Sequence, residues 1–141
     1  MKALTICQPY ASLIARGVKR VENRTWPTRY RGPLVIHAGK SRQWLTDDGP
    51  SLDPRENYGI ALSEMPFGAV IAVAQLIDCV SLSGCSDYME RTRAKYPWLA
   101  EHEHASGPWC WILDYVQPFS EPVPYKGSQG LWDYPVAKVF S

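Results

Sequence analysis

Lys19, Glu22 and Arg24 stand within six residues of one another, and their types suit the handling of a phosphate ester. An arginine can hold a phosphate bidentately and a lysine can hold it as a point charge. Glu22 can accept a hydrogen bond from a base amino group, or it can orient Arg24. Residues two apart on a strand share a face, so Glu22 and Arg24 would point the same way while Lys19 reaches in from the turn before them. The competing expectation is a local ion pair that fixes one element to the next, which contributes little if exposed. Charge favours a site. Residues 1–42 carry nine basic residues against one acid, Glu22, and residues 43–141 carry six against thirteen. A formal net charge of +1 therefore conceals a strongly basic N-terminal third. Such asymmetry points to an anionic partner, with nucleic acid first.

Other residues join this group as candidates. Gln8, Pro9 and Tyr10 open a helix whose free N–H groups could face an anion, though plain packing suffices for Pro9. Arg20 lies in the same turn as Lys19. Trp26 and Tyr30 interleave the cations and could stack on bases, a contact worth roughly 1–3 kcal/mol per base; core packing is the alternative for both. Arg29 and Arg31 suit general phosphate contacts rather than base reading. His37, beside Gly39 and Lys40, could donate to a phosphate or act as an acid or base, but a lone histidine is more often structural. Lys126, Gln129 and Trp132 fall in a glycine-bracketed loop that could close a cleft from its far side; a buried Trp132 is the alternative. His102 and His104, with Glu101 and Glu103, form only an H-x-H on a loop, and Cys110 is not at a standard ligand spacing. No metal and no cofactor is expected. Cys7, Cys79, Cys85 and Cys110 show no C-x-x-C spacing and are expected as free thiols.

The elements that must position these residues can be read in order. Lys2 to Cys7 reads as a strand. A helix follows, with Pro9 in its first turn, Tyr10, Leu13, Ile14 and Val18 on an inward face, and Gly17 closing it. Val21 to Trp26 alternates as a short strand. Leu34 to Ile36 is a buried strand ending at His37-Ala38-Gly39. Ser41 to Thr46 reads as a helical turn, Asp47 to Ser51 as a loop, and Asp53-Pro54 starts a helix running to about Glu64. Gly68 to Leu82 is the strongest strand, long and rich in small residues, as suits a bent strand serving two parts of a barrel. Ser86 to Lys95 reads as a helix. Trp109 to Phe119 is a second long strand, which Pro118, Pro122 and Pro124 limit to an edge or bend at its far end. Five or six strands with short peripheral helices, and no βαβ regularity, predict an α+β fold: a small mixed β-barrel. The 141 residues suit one domain, 1–141, without repeats or linkers. The N-terminus lacks the apolar region of a signal peptide. The longest apolar run, Ala69 to Ile77, is broken by Gln75 and falls short of a membrane span. A cytoplasmic protein is expected, nuclear if eukaryotic, with no membrane partner.

The stretch QPYASLIARGVKRVENRTW, followed by RGPLVIHA, resembles the ASCH domain, named for activating signal cointegrator 1 homology. Gly17, Lys19, Glu22 and Arg24 fill the family pattern G-x-K-x-x-E-x-R without a gap. Further matches lie in AVAQLIDCVSL, WCWILDYVQPF and KGSQGLW, so the resemblance covers nearly the whole chain except 42–66 and 84–107. It implies a PUA-like β-barrel with a cleft beside the first helix, lined by the motif residues. Relatives of that fold include modified-base readers and RNA-binding modules. Some ASCH proteins resemble enzymes, either amidohydrolases of N-acylated cytidine or a ribonuclease. In the amidohydrolases a lysine is followed three residues on by a threonine nucleophile. Lys19 matches the lysine, but Glu22 stands at the threonine position. The pattern with Glu is closer to the cointegrator-type domains, which look like nucleic-acid binders.

Three functions follow as expectations. The first is binding of RNA or DNA, or of a modified nucleotide, through a basic cleft at the turn between the first helix and the second strand. The second is a hydrolase of RNA or of acylated nucleosides, with Lys19 as base or orienter and Glu22 as its acid or base partner; two neighbouring cations count against Glu22 as the base. The third is a protein-interaction domain whose basic third docks an acidic partner.

Overall fold

A computed structural model describes residues 1–43, 45 and 59–135. In chain order the elements are β1 (Lys2–Ile6), α1 (Tyr10–Ala15), β2 (Val21–Arg24), β3 (Gly32–Ala38), β4 (Ala69–Ser81), α2 (Ser86–Lys95), β5 (Trp109–Pro124) and β6 (Leu131–Asp133). Short 3-10 turns lie at Leu62–Glu64 and Leu99–Glu101. The six strands form one mixed sheet in the order β2-β5-β4-β3-β1-β6, in which only β1 and β3 run parallel. The end strands β2 and β6 do not pair with each other, so among the described residues the sheet is a half-barrel.

Two long strands make the curvature. β4 has 13 residues and β5 has 16, and their shared ladder shifts register at Val70/Ala72, Val73/Gln75 and Leu76/Asp78. Each bulge bends a strand and increases its twist. Ala72 and Ala74 of β4 lie in the buried cluster that α1 packs against. β5 runs on through Pro118 and Pro122 to Pro124 because β2 covers only Trp109–Ile112. Beyond that point β4 is its one sheet neighbour, and a proline on an open edge removes no ladder bond.

The concave face buries Leu4, Leu34, Ile36, Leu76, Trp111 and Leu113 against Ala11 and Ile14 of α1. Full burial of a Leu or Ile side chain contributes roughly 1.5–3 kcal/mol. That packing holds α1, since six residues are too few for a helix to persist alone. Its start differs from the expectation: Pro9 is the N-cap, and the missing cap bond comes from Gln8, whose Oε1 accepts the Ser12 N–H at 3.0 Å. Its end differs too. Val18 does not face inward but is 48% exposed, because α1 ends at Ala15 and Gly17, at φ +78, turns the chain away. β2 stops at Arg24, leaving Trp26 beyond the ladder. α2 falls on the residues expected of it. The loop 47–51 and the expected helix from Asp53 lie outside the described residues up to 58, and the described end of that stretch is the 3-10 turn Leu62–Glu64. At Ser41 to Thr46 the Leu45 N–H bonds to the Arg42 carbonyl, and residues 44 and 46 lie outside the described set. No described helix is long and apolar enough to cross a membrane.

Candidate functional site

The turn between α1 and β2 is folded back on the helix. The N–H groups of Val18 and Lys19 both donate to the Leu13 carbonyl, at 3.0 and 3.1 Å. This turns the Lys19 side chain inward, where it is only 3% exposed. Its Nζ donates to the Val21 carbonyl and lies 2.8 Å from Glu22 Oε1. The other Glu22 oxygen, Oε2, lies 2.8 Å from Arg24 Nη2, which also donates to the Thr5 carbonyl at 2.9 Å. Glu22, 8% exposed, therefore bridges the two cations of the motif. The ion pair is buried rather than superficial, so losing one partner is costly.

The three motif residues divide between two cavities. Lys19 and Glu22 line one of about 340 Å³, with Cys7, Tyr10, Asn23 and His104. Tyr10 lies with its ring centroid 5.6 Å from Lys19 Nζ and edge-on to His104. Asn23 ties this wall together, because Oδ1 accepts the N–H groups of Ser106 and Gly107 at 3.0 and 2.8 Å while Nδ2 donates to the His104 carbonyl. Arg24 instead opens onto a larger cavity of about 690 Å³, shared with Thr5, Trp26, His37, Lys40, Tyr125 and the Lys126–Gly130 loop. Among the described residues, three cations, Arg24, Lys40 and Lys126, line it, and no carboxylate does.

Sheet register explains how residues so far apart in sequence meet there. β1 and β3 pair Thr5 with His37, which puts both on one level at the sheet end. The loop between β5 and β6 then crosses over them. His37 is 3% exposed, with Nδ1 3.1 Å from Thr5 Oγ1 and Nε2 2.7 Å from the Tyr125 carbonyl. A Cβ on Gly127 would lie 2.5 Å from Thr5 Oγ1 and 2.6 Å from His37 Cε1, so only glycine fits. Trp132 is buried, as the alternative for it had it: it packs with Ala3, Val35 and Val70 and donates from Nε1 to Thr5 Oγ1 at 3.1 Å. Tyr125 stacks on it with rings 4° from parallel. Trp26 packs edge-on against Trp111 at 4.8 Å and stays half-buried at the cavity wall.

The remaining candidates lie elsewhere. Gln8 is fully buried with both ends of its amide used, Nε2 donating to the Pro66 carbonyl at 2.8 Å, so it joins α1 to the segment before β4. Arg20 stacks on Trp98 at 4.0 Å, and its N–H donates to His102 Nε2 at 3.2 Å, which docks the 98–104 excursion onto the turn. Arg31 is exposed and lies 3.4 Å from Asp78; Arg29 is exposed and lines neither cavity. Lys40, Lys126 and Gln129 are exposed on the larger cavity. Sequence reasoning did not single out Thr5, Asn23, Tyr125 or Ser128. The one signal for Thr5 was its alternation position on β1, and only the parallel register with β3 gives that position meaning. Burial lowers the pKa of His37, His102 and His104, with Lys19 adding to the shift at the latter two, so all three imidazoles favour the neutral form. Burial raises the thiols of Cys7, Cys79 and Cys110, and all four cysteines are free.

A mixed half-barrel with this turn motif beside its first helix is a PUA-like architecture. Two solved structures from Zymomonas mobilis share it, described as a crystal structure of ASCH and of a mutant of the same protein. They superpose with TM-scores of 0.54 and 0.53 at 14% identity, covering 99% of this chain and 90% and 93% of theirs. The ASCH domain model matches residues 4–123, and the chain belongs to the ASCH domain family. It is also similar to activating signal cointegrator 1 from Homo sapiens, 27% identical over 133 residues, and from Mus musculus, 26% identical over 142 residues. Both alignments take in 92% of this chain and 21% of the relative, so the chain spans about a fifth of their length.

Proposed function

We propose that this chain binds nucleic acid, RNA first, by seating a nucleotide in the larger cavity. The observation that carries this reading is a lining that, among the described residues, holds Arg24, Lys40 and Lys126 and no carboxylate, beside the indole of Trp26. A volume of about 690 Å³ lies within the usual range of ligand pockets. Arg24 is the member of the motif that faces the ligand. Glu22 fixes the Arg24 guanidinium and Lys19 fixes Glu22, so two of the motif residues act by positioning. The same pairing supports binding over hydrolysis, since both carboxylate oxygens of Glu22 are already engaged by cations. DNA and a modified nucleotide share this chemistry. A cytoplasmic setting, or a nuclear one in a eukaryote, suits such partners.

The test is a titration of labelled oligouridine, duplex RNA and DNA at several salt concentrations, with wild type and a Lys40→Ala/Lys126→Ala variant. For single strands the slope of log K against log salt is about −0.7 per phosphate neutralised. Removing two contacts is expected to flatten the slope by roughly 1.4 and to cost at least about tenfold in affinity at low salt. An unchanged slope would show that the cavity does not hold the phosphates.

A further inference from the structure

The hydroxyl of Thr5 sits in a conflict that a proton on His37 resolves. Thr5 Oγ1 carries one hydrogen and lies within hydrogen-bond distance of three groups. Trp132 Nε1, at 3.1 Å, can only donate to it. The Ser128 carbonyl, at 3.2 Å, can only accept from it. His37 Nδ1, at 3.1 Å, can do either, according to its protonation. The other ring nitrogen settles the neutral tautomer: Nε2 lies 2.7 Å from the Tyr125 carbonyl, so it carries the hydrogen. Neutral His37 then presents a bare lone pair at Nδ1. That lone pair and the Ser128 carbonyl compete for the single Thr5 hydrogen; when it goes to the buried Nδ1, the exposed Ser128 carbonyl is left to solvent and is no longer tied to Thr5. In the imidazolium form Nδ1–H donates to Thr5 Oγ1 and the hydroxyl turns to Ser128. Every contact is then made with the right polarity.

The groups that face the ring reinforce this. β1 presents Thr5, β6 presents the edge-on indole of Trp132 at 5.5 Å, and β4 presents Val70 across the ladder. Among the described residues the charged groups of the shared cavity are Arg24 from β2, Lys40 after β3 and Lys126 after β5, all cations. Asp133 of β6 is 3.1 Å from Lys2, and Glu22 lies between Arg24 and Lys19. Among the described residues the cavity lining therefore offers an imidazolium no counter-charge, whereas a bound phosphate would supply one.

We infer, resting on the reading of this cavity as a nucleic-acid site, that anion binding there is coupled to protonation of His37, which fastens the Ser128 segment of the cavity wall through Thr5. In the protein alone burial holds His37 below the ordinary imidazole value near 6.5, with the Tyr125 carbonyl opposing. Linkage is reciprocal: an anion that favours the proton is itself favoured by it. With the pKa higher in the complex than in the free protein, binding takes up a proton between the two values. Affinity then rises as pH falls, by up to about tenfold per pH unit for one proton.

The test measures oligouridine affinity from about pH 8 to pH 6 at fixed salt, a range in which neither uracil nor a phosphodiester titrates. Wild type is expected to tighten as pH falls, and His37→Gln, which cannot titrate, is expected to give a flat profile. The imidazole signals of wild type, followed by NMR with and without oligouridine, keep the test decisive if that variant does not fold. Only His37, of the three histidines, is expected to titrate at higher pH in the complex, accompanied by a shift of the Ser128 and Gln129 amides. Salt-sensitive binding with no pH dependence, or a His37 midpoint that the ligand leaves unmoved, overturns this inference alone. No binding at any pH overturns the reading of the cavity and this inference with it.

Discussion

Lys19→Ala is expected to lower the unfolding free energy by roughly 3 kcal/mol, in the range measured when one partner of a buried ion pair is removed. The side chain is 3% exposed and donates to both Glu22 and the Val21 carbonyl. Its loss leaves Glu22 Oε1 and the Val21 carbonyl without their donor. Arg24 still neutralises Glu22, which keeps the effect from being larger. Urea denaturation with an unchanged m-value would report this as a stability loss. Oligouridine affinity of the folded fraction is expected to stay within about threefold of wild type, since a buried positioning residue makes no contact with phosphate. A variant that keeps its stability and loses binding would show that Lys19 reaches the ligand.

Gly127→Ala is expected to produce the second large effect. The backbone conformation at Gly127 is open to any residue, so its role lies in space rather than in φ. An added methyl would meet Thr5 Oγ1 at 2.5 Å and His37 Cε1 and Nδ1 at 2.6 and 2.7 Å. Neither partner can yield: Thr5 is held by Trp132, and the His37 ring by the Tyr125 carbonyl. Overpacking of this kind costs typically 1–3 kcal/mol, and the loop is expected to lift away. Affinity for oligouridine should fall at least tenfold, since Lys126 and Gln129 are carried on the same loop. Thermal unfolding and the oligouridine titration check the two parts; wild-type values in both would mean that the loop is not held against His37.

Local pattern made much of this legible in the sequence. The long strand at β4, the helix at α2 and the short α1 closed by Gly17 all follow from period and punctuation. The G-x-K-x-x-E-x-R motif marked a charged cluster, and the structure does bring Lys19, Glu22 and Arg24 into contact. Three kinds of information were missing. The first was which side of a turn faces solvent: Val18 and Lys19 exchange the places that hydrophobicity alone assigns them, because the backbone of both is drawn to the Leu13 carbonyl. The second was register between distant strands. Thr5, His37 and the 125–130 loop meet only because β1 pairs in parallel with β3 and antiparallel with β6. Gln8 shows a third limit, since a helix-opening polar residue reads equally as a ligand contact or a cap, and only its two buried hydrogen bonds decide for the cap.

The most direct measurement is backbone amide and indole chemical-shift mapping of the wild-type protein during titration with oligouridine. The largest shifts are expected at the Trp26 indole and at the amides of residues 126–130, with smaller ones at Lys40 and around Arg24. Shifts concentrated on Tyr10, Asn23 and His104 around the smaller cavity would contradict the assignment of the site, and an unperturbed spectrum at saturating ligand would contradict nucleic-acid binding itself.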